Sequence, residues 1–141
     1  MERSLSNVAV VFGVKGVQLA HHSLSVRKVK HHFPSLSIGC SVHSIAEAME
    51  AEESGADYCI YGHVFATGSK VGVPPRGIES LRSVVNHVNI PVIAIGGIHS
   101  NNAEQVLKAG AQGIAVMSAV FFADDPVSEA KKLAKIVKKM V

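Results

Sequence analysis

Short apolar runs alternate with amphipathic stretches along the whole chain. Residues 16–20, 36–42, 58–64, 91–97 and 113–121 are apolar, β-branched or small, and read as strands. Between them the apolar positions fall at helical spacing. Ser23 or Ser25 can cap a helix through Val26, Val29 and Phe33 that Pro34 ends. Ser44 with Glu47 forms a capping box, opening a helix through Ala48 and Ala51 to Gly55. Residues 78–88 are helical. Ser100 or Asn101 caps a helix through Ala103, Val106 and Leu107 to Gly110. Pro126 stands near the start of a last helix, with Val127, Ala130, Leu133, Ala134 and Val137 on one face. Residues 5–12 are apolar and, on pattern alone, fit a strand or a short buried helix equally well.

Strand then helix therefore recurs about five times, which predicts an α/β fold with a parallel sheet covered by helices. No linker or composition shift divides the chain, so residues 1–141 are read as one domain. A weak internal echo supports a reused βα unit. Gly55-Ala56-Asp57-Tyr58 and Gly110-Ala111-Gln112-Gly113 both join a helix to the following strand, and Gly13-Val14-Lys15-Gly16 stands at a similar place.

Composition narrows the function classes. With 48% hydrophobic and 18% charged residues, the chain can build a core rather than remain disordered. The net charge of +3 gathers in Lys131, Lys132, Lys135, Lys138 and Lys139, the solvated end of the last helix, where cations suit the helix dipole. No Trp is present, and two Tyr and five Phe are scattered, so nucleic-acid binding is not expected. Cys40 and Cys59 lie in apolar runs and read as buried free thiols of a reducing compartment. No stretch has the length of a membrane span and residues 1–7 lack a signal pattern, so a cytoplasmic protein without membrane partners is expected.

The chemistry concentrates in residues 61–72. His63, Thr67, Ser69 and Lys70 stand within eight positions there, placing a proton carrier beside hydroxyls and a cation suited to an anion. His63 follows a strand end and can exchange protons near neutral pH; it also fits a structural role. Lys70 with Thr67 and Ser69 fits an anion site or an exposed loop equally. Gly96, Gly97, Met117 and Ser118 end two neighbouring strands, where backbone N–H groups can approach a phosphate. Ser41 and His43 stand at another strand end. The pairs His21-His22 and His31-His32 cannot face one ligand from a regular element. No metal spacing is found, and neither metal nor other cofactor is assigned.

At these residues a family resemblance emerges. Gly62-His63-Val64-Phe65-Ala66-Thr67-Gly68-Ser69-Lys70 resembles a loop of the thiamine phosphate synthase superfamily, and residues 39–44, 91–97 and 111–118 resemble its neighbouring strands in the same order. The resemblance runs from about Leu5 to the C-terminus. It implies a partial TIM (β/α) barrel, with about five parallel strands corresponding to strands four to eight and about three N-terminal βα units absent. Residues 5–12 would then be the helix before strand four. The synthase branch has Gly-Pro where this chain has Gly62-His63. Histidine there resembles the TenI-type thiazole tautomerase, which aromatises a thiazole carboxylate phosphate by a proton shift. The resemblance thus implies an isomerase with His63 as acid/base. Ser41, Thr67, Ser69 and Lys70 would bind a small phosphorylated thiazole, and Gly96, Gly97, Met117 and Ser118 its phosphate. The synthase itself, a transferase, and a non-catalytic phosphate-binding remnant are the alternatives. An open barrel would also suit a homo-oligomer.

Overall fold

The computed structural model describes residues 13–20, 25–68 and 71–141. The expectations placed on residues 5–12, on His21, His22 and Ser23, and on Ser69 and Lys70 lie outside the described residues. Five strands, β1 (Gly16–Leu19), β2 (Ser37–Val42), β3 (Tyr58–Tyr61), β4 (Val92–Ile95) and β5 (Gly113–Ala115), form one sheet in the order β1-β2-β3-β4-β5. Every pairing is parallel. The helices are α1 (Val26–His32), α2 (Ile45–Glu53), α3 (Ile78–His87), α4 (Ala103–Lys108), α5 (Ser118–Phe121) and α6 (Pro126–Met140). Sequential strands are neighbours throughout, the arrangement of consecutive βα units in a barrel wall.

Alternation along the strands decides where the core lies. Ile38, Cys40 and Val42 of β2, Cys59 and Tyr61 of β3, and Val92 and Ala94 of β4 are buried under the helices. The opposite face, with Gln18, Ser41, Ile60, Ile93 and Ile95, is half-buried or exposed. Helix joints are specific. Ser44 accepts from Glu47 N at 3.1 Å, while the Glu47 carboxylate reaches the N–H of His43 at 2.7 Å, one residue before the cap. Asp125 caps α6 by accepting from Ser128 N. Gly55 and Gly110 take φ of 99° and 106° after α2 and α4, so both stop a helix in the left-handed region as their shared motif suggests.

Asp57 closes one of these joints. Its carboxylate accepts from Lys30 Nζ at 2.8 Å and Ile38 N at 2.7 Å, and Lys30 also donates to Leu36 O at 3.1 Å. Burial alone would raise the Asp57 pKa, but the hydrogen bonds from Lys30 and Ile38 and the lysine charge outweigh it and hold the acid below its ordinary value.

Several boundaries differ from the sequence expectation. β3 stops at Tyr61 rather than residue 64, because Val64 N and Phe65 N turn to donate to Ile95 O and Gly96 O beyond the regular ladder. β5 stops at Ala115 and the apolar run to residue 121 becomes α5; apolarity alone does not separate a strand from a short helix. The cap of α4 is Asn102, not Ser100 or Asn101. In α6 it is Leu133 and Ile136 that pack on the core and Val137 that is half-buried, whereas Val127, Ala130 and Ala134 are exposed.

Candidate functional site

All the sequence-nominated residues that are described sit at the C-terminal ends of the strands or in the loops after them. Two adjoining cavities receive them. The smaller, about 180 Å³, is bounded by Thr67, Gly96, Gly97, Met117 and Ser118 with Ile95 and Ile98. The larger, about 630 Å³, lies over the open face of the sheet, between Gln18, Ser41, His43, Ile60, His63 and Arg76, and shares Ile95 with the first. The structure therefore brings the four phosphate candidates together and adds Thr67 to them. It separates Thr67 from Ser41, with which the resemblance had grouped it.

The two glycines have a packing role of their own. Gly96 has φ of 106°, and a Cβ there would collide with the backbone and Cβ of His63. Gly97 has φ of 64°, and its Cβ would meet the carbonyl of Ala66 and the Phe65 side chain. Only glycine lets the loop after β4 lie this close to the loop after β3. Asn102 then holds the turn, with its Nδ2 donating to Gly97 O at 2.9 Å and its Oδ1 accepting from His99 N at 2.8 Å. Met117 is the residue before α5, the short extra helix placed directly after β5.

His63 follows a cis Gly62–His63 peptide and is 6% exposed. Its Nε2 lies 3.0 Å from Val73 O. A carbonyl only accepts, so Nε2 carries the proton and Nδ1 is the basic nitrogen of the neutral ring. The segment that supplies Val73 is clamped to the same place. Arg76 N donates to His63 O at 3.0 Å, Gly77 N to Val64 O at 2.9 Å, and Arg76 Nε to Gly62 O at 2.7 Å. Residues 73–77 thus form a strap across the end of β3. Arg76 is a cation at the larger cavity that the sequence did not single out; nothing in its spacing distinguishes it from a surface arginine. Gln18 was also missed, although a glutamine inside an apolar strand is a usable signal. It donates to Ser41 Oγ at 3.0 Å across the open face, and Gly39 leaves room for it, since a Cβ at that position would collide with Gln18 and Tyr58. His43 bonds Glu47 through Nδ1 at 3.1 Å.

Comparison with known proteins can now be set on this geometry. The thiamine monophosphate synthase family matches residues 5–120. The chain belongs to that family. A thiamine-phosphate synthase of Pyrococcus furiosus is 45% identical over 135 residues, covering 96% of this chain and 65% of the relative. One from Chloroflexus aurantiacus is 39% identical over 132 residues, covering 93% and 61%. A solved Pyrococcus furiosus thiamine phosphate pyrophosphorylase superposes with a TM-score of 0.86 at 44% identity, covering 96% of this chain and 65% of that one. A 3-hexulose-6-phosphate synthase of Salmonella typhimurium, at 20% identity and a TM-score of 0.75, shares the fold alone. The chain thus spans about two thirds of the relatives it matches.

These relatives correct the tautomerase expectation. That reading rested on the single side chain at position 63, whereas similarity over nearly the whole chain points to proteins named as synthases. The superfamily, the link to thiamine biosynthesis and the parallel α/β architecture stand; the isomerase class does not. Among the described residues no helix is long and apolar enough to cross a membrane.

Proposed function

We propose that this chain forms the phosphate-binding portion of a thiamine-phosphate-synthase-type transferase, corresponding to about two thirds of the relatives it matches. Such an enzyme joins an aminopyrimidine diphosphate to a thiazole phosphate. The thiazole ring nitrogen forms a bond to the pyrimidine methylene carbon as that carbon's bond to diphosphate oxygen breaks, and diphosphate leaves. The observation that carries the reading is the convergence of Gly96, Gly97, Ser118 and Thr67 on one small cavity at the C-terminal ends of β4 and β5. Barrel enzymes hold phosphate after their last two strands, at the start of a short extra helix, which is the place α5 takes here.

In this reading the smaller cavity holds the thiazole phosphate and the larger one the ring. Fixing a remote phosphate orients the ring nitrogen at little cost to the reacting centre. Ser41, held by Gln18, and the buried His63 shape the ring's side of the cavity. Arg76 supplies positive charge where diphosphate accumulates as it leaves. Mg²⁺ serves the synthase branch, but among the described residues no three His, Cys, Asp or Glu side chains cluster as a ligand set, so no step is routed through a metal.

Calorimetry with the thiazole phosphate tests the assignment. It should bind more tightly than inorganic phosphate, and Ser118→Ala should weaken binding about tenfold, the loss of one hydrogen bond to a charged group. Thiazole phosphate that binds no better than inorganic phosphate would sink the reading. Supplying both substrates with Mg²⁺ and assaying for the coupled product then tests turnover.

A further inference from the structure

Gln18 is a polar residue within the otherwise apolar strand β1, and its side chain has a defined place. In the parallel register Gln18 stands beside Gly39, and Gly39 beside Tyr58. The Gln18 amide oxygen and the Tyr58 ring both fill the space that a Cβ at Gly39 would take, so glycine is what lets the glutamine lie across β2. Glycine inside a strand weakens it, and the close approach of another group is a common reason for one. Lying this way, Gln18 brings its Nε2 to Ser41 Oγ at 3.0 Å, two residues further along β2.

The direction of that bond sets what Ser41 can do. An amide nitrogen only donates, whereas a hydroxyl has one proton and two acceptor lone pairs. Gln18 occupies one lone pair and, among the described residues, Ser41 Oγ has no other partner, so its proton remains to be given. Gln18, Ser41 and Arg76 line the same larger cavity, and the arginine is likewise a donor only. We infer that Gln18 is a positioning residue that commits the Ser41 hydroxyl to donate into the larger cavity, so that the ligand group held there is an acceptor, an anionic oxygen with no proton to give. Gln18 itself acts through Ser41. This deepens the proposed function and rests on its reading of the larger cavity.

Calorimetry with inorganic diphosphate at pH 8 tests this through the effect of Ser41→Ala in four backgrounds. In the parent chain the substitution should weaken binding about tenfold, the loss of one hydrogen bond to a charged group. With Gln18→Lys, which also only donates, the effect should again be about tenfold. With Gln18→Leu, which leaves the hydroxyl free to turn, it should shrink to a few-fold. With Gln18→Glu, whose carboxylate takes the Ser41 proton, it should fall below about twofold. Comparing Ser41 with alanine inside each background removes the charge that Lys or Glu adds. Gln18 is exposed and Ser41 half-buried, so circular dichroism should show the fold unchanged. An equal effect in all four backgrounds, or none in the parent, would overturn the inference. Either result leaves the transferase reading to the thiazole phosphate measurement, which reports on the smaller cavity. A parent chain that binds no diphosphate would overturn the inference together with the role given to Arg76.

Discussion

Replacing Gly96 by alanine tests whether the closeness of two loops, rather than a backbone angle, demands glycine there. Two costs add. An L-residue at φ of 106° is strained by about 1–3 kcal/mol. The new Cβ also strikes the His63 backbone, which is held by Val64 N→Ile95 O at 2.9 Å and Phe65 N→Gly96 O at 3.0 Å and cannot swing away freely. Overpacking of this kind adds about 1–3 kcal/mol. Gly72 supplies the comparison. Its φ is 81° and nothing lies within 4 Å of where a Cβ would stand, so Gly72→Ala carries the backbone strain alone. The two variants should therefore differ by about 1–3 kcal/mol. At an m-value of about 1.5 kcal/mol per molar, urea midpoints should stand about 0.7–2 M apart, Gly96→Ala being the lower. Phosphate binding should fall with it, because the same loops bound the smaller cavity. Equal midpoints for the two variants would refute the close-approach argument and leave only a turn.

Three further outcomes are expected. The Asp57–Lys30 pair should stabilise the chain at neutral pH by about 1 kcal/mol, a value kept small because both side chains are partly exposed and screened. The Asp57 pKa is depressed on folding, so this stability is present well above the unfolded value of 3.8 and is lost as pH falls below it; Asp57→Asn should differ from the parent in thermal melts at pH 7 and converge with it in strong acid. Burial, with a smaller contribution from the neighbouring Cys40, pushes the Cys59 thiol up to about 11, and Cys40 is raised as well, so a disulfide reagent at pH 8 should label neither quickly until urea opens the core. Arg76→Ala should weaken inorganic diphosphate binding by about tenfold, while Arg76→Lys, which keeps charge but loses the Nε bond to Gly62 O, should fall between; equal binding by all three proteins would remove Arg76 from the anion site.

Much of the scaffold is legible in the sequence because its signals are local. The Ser44–Glu47 pair, the glycines at 55 and 110, and Pro126 each settle a helix end through one residue's own conformational or hydrogen-bonding preference. Strand ends are different. β3 stops where the following N–H groups donate to Ile95 O and Gly96 O beyond the ladder, and β5 stops where the backbone winds into α5, while apolar side chains continue past both points unchanged. Which side of α6 turns inward was likewise undecidable, since two apolar stripes run along it and only packing against α4 selects Leu133 over Val127. The candidate site shows the same division. Gly96, Gly97 and Ser118 could be nominated from the sequence because small residues at strand ends form a local signal, whereas Arg76 gains its place from a tertiary bond to Gly62.

The histidine shows why a reaction cannot be read from one position. A buried imidazole whose Nε2–H is given to Val73 O holds down the strap of residues 73–77, and that strap in turn carries Arg76. Removing the ring would therefore disturb the loop base and the cavity cation together, whatever chemistry follows. The four hydrogen bonds between residues 62–64 and 73–77 close the base of the excursion, leaving Val71 at its tip 85% exposed. Beyond this closed base Thr67 borders the smaller cavity. The role of His63 shown here is thus architectural, and similarity along nearly the whole chain, not this one side chain, bears on the reaction class.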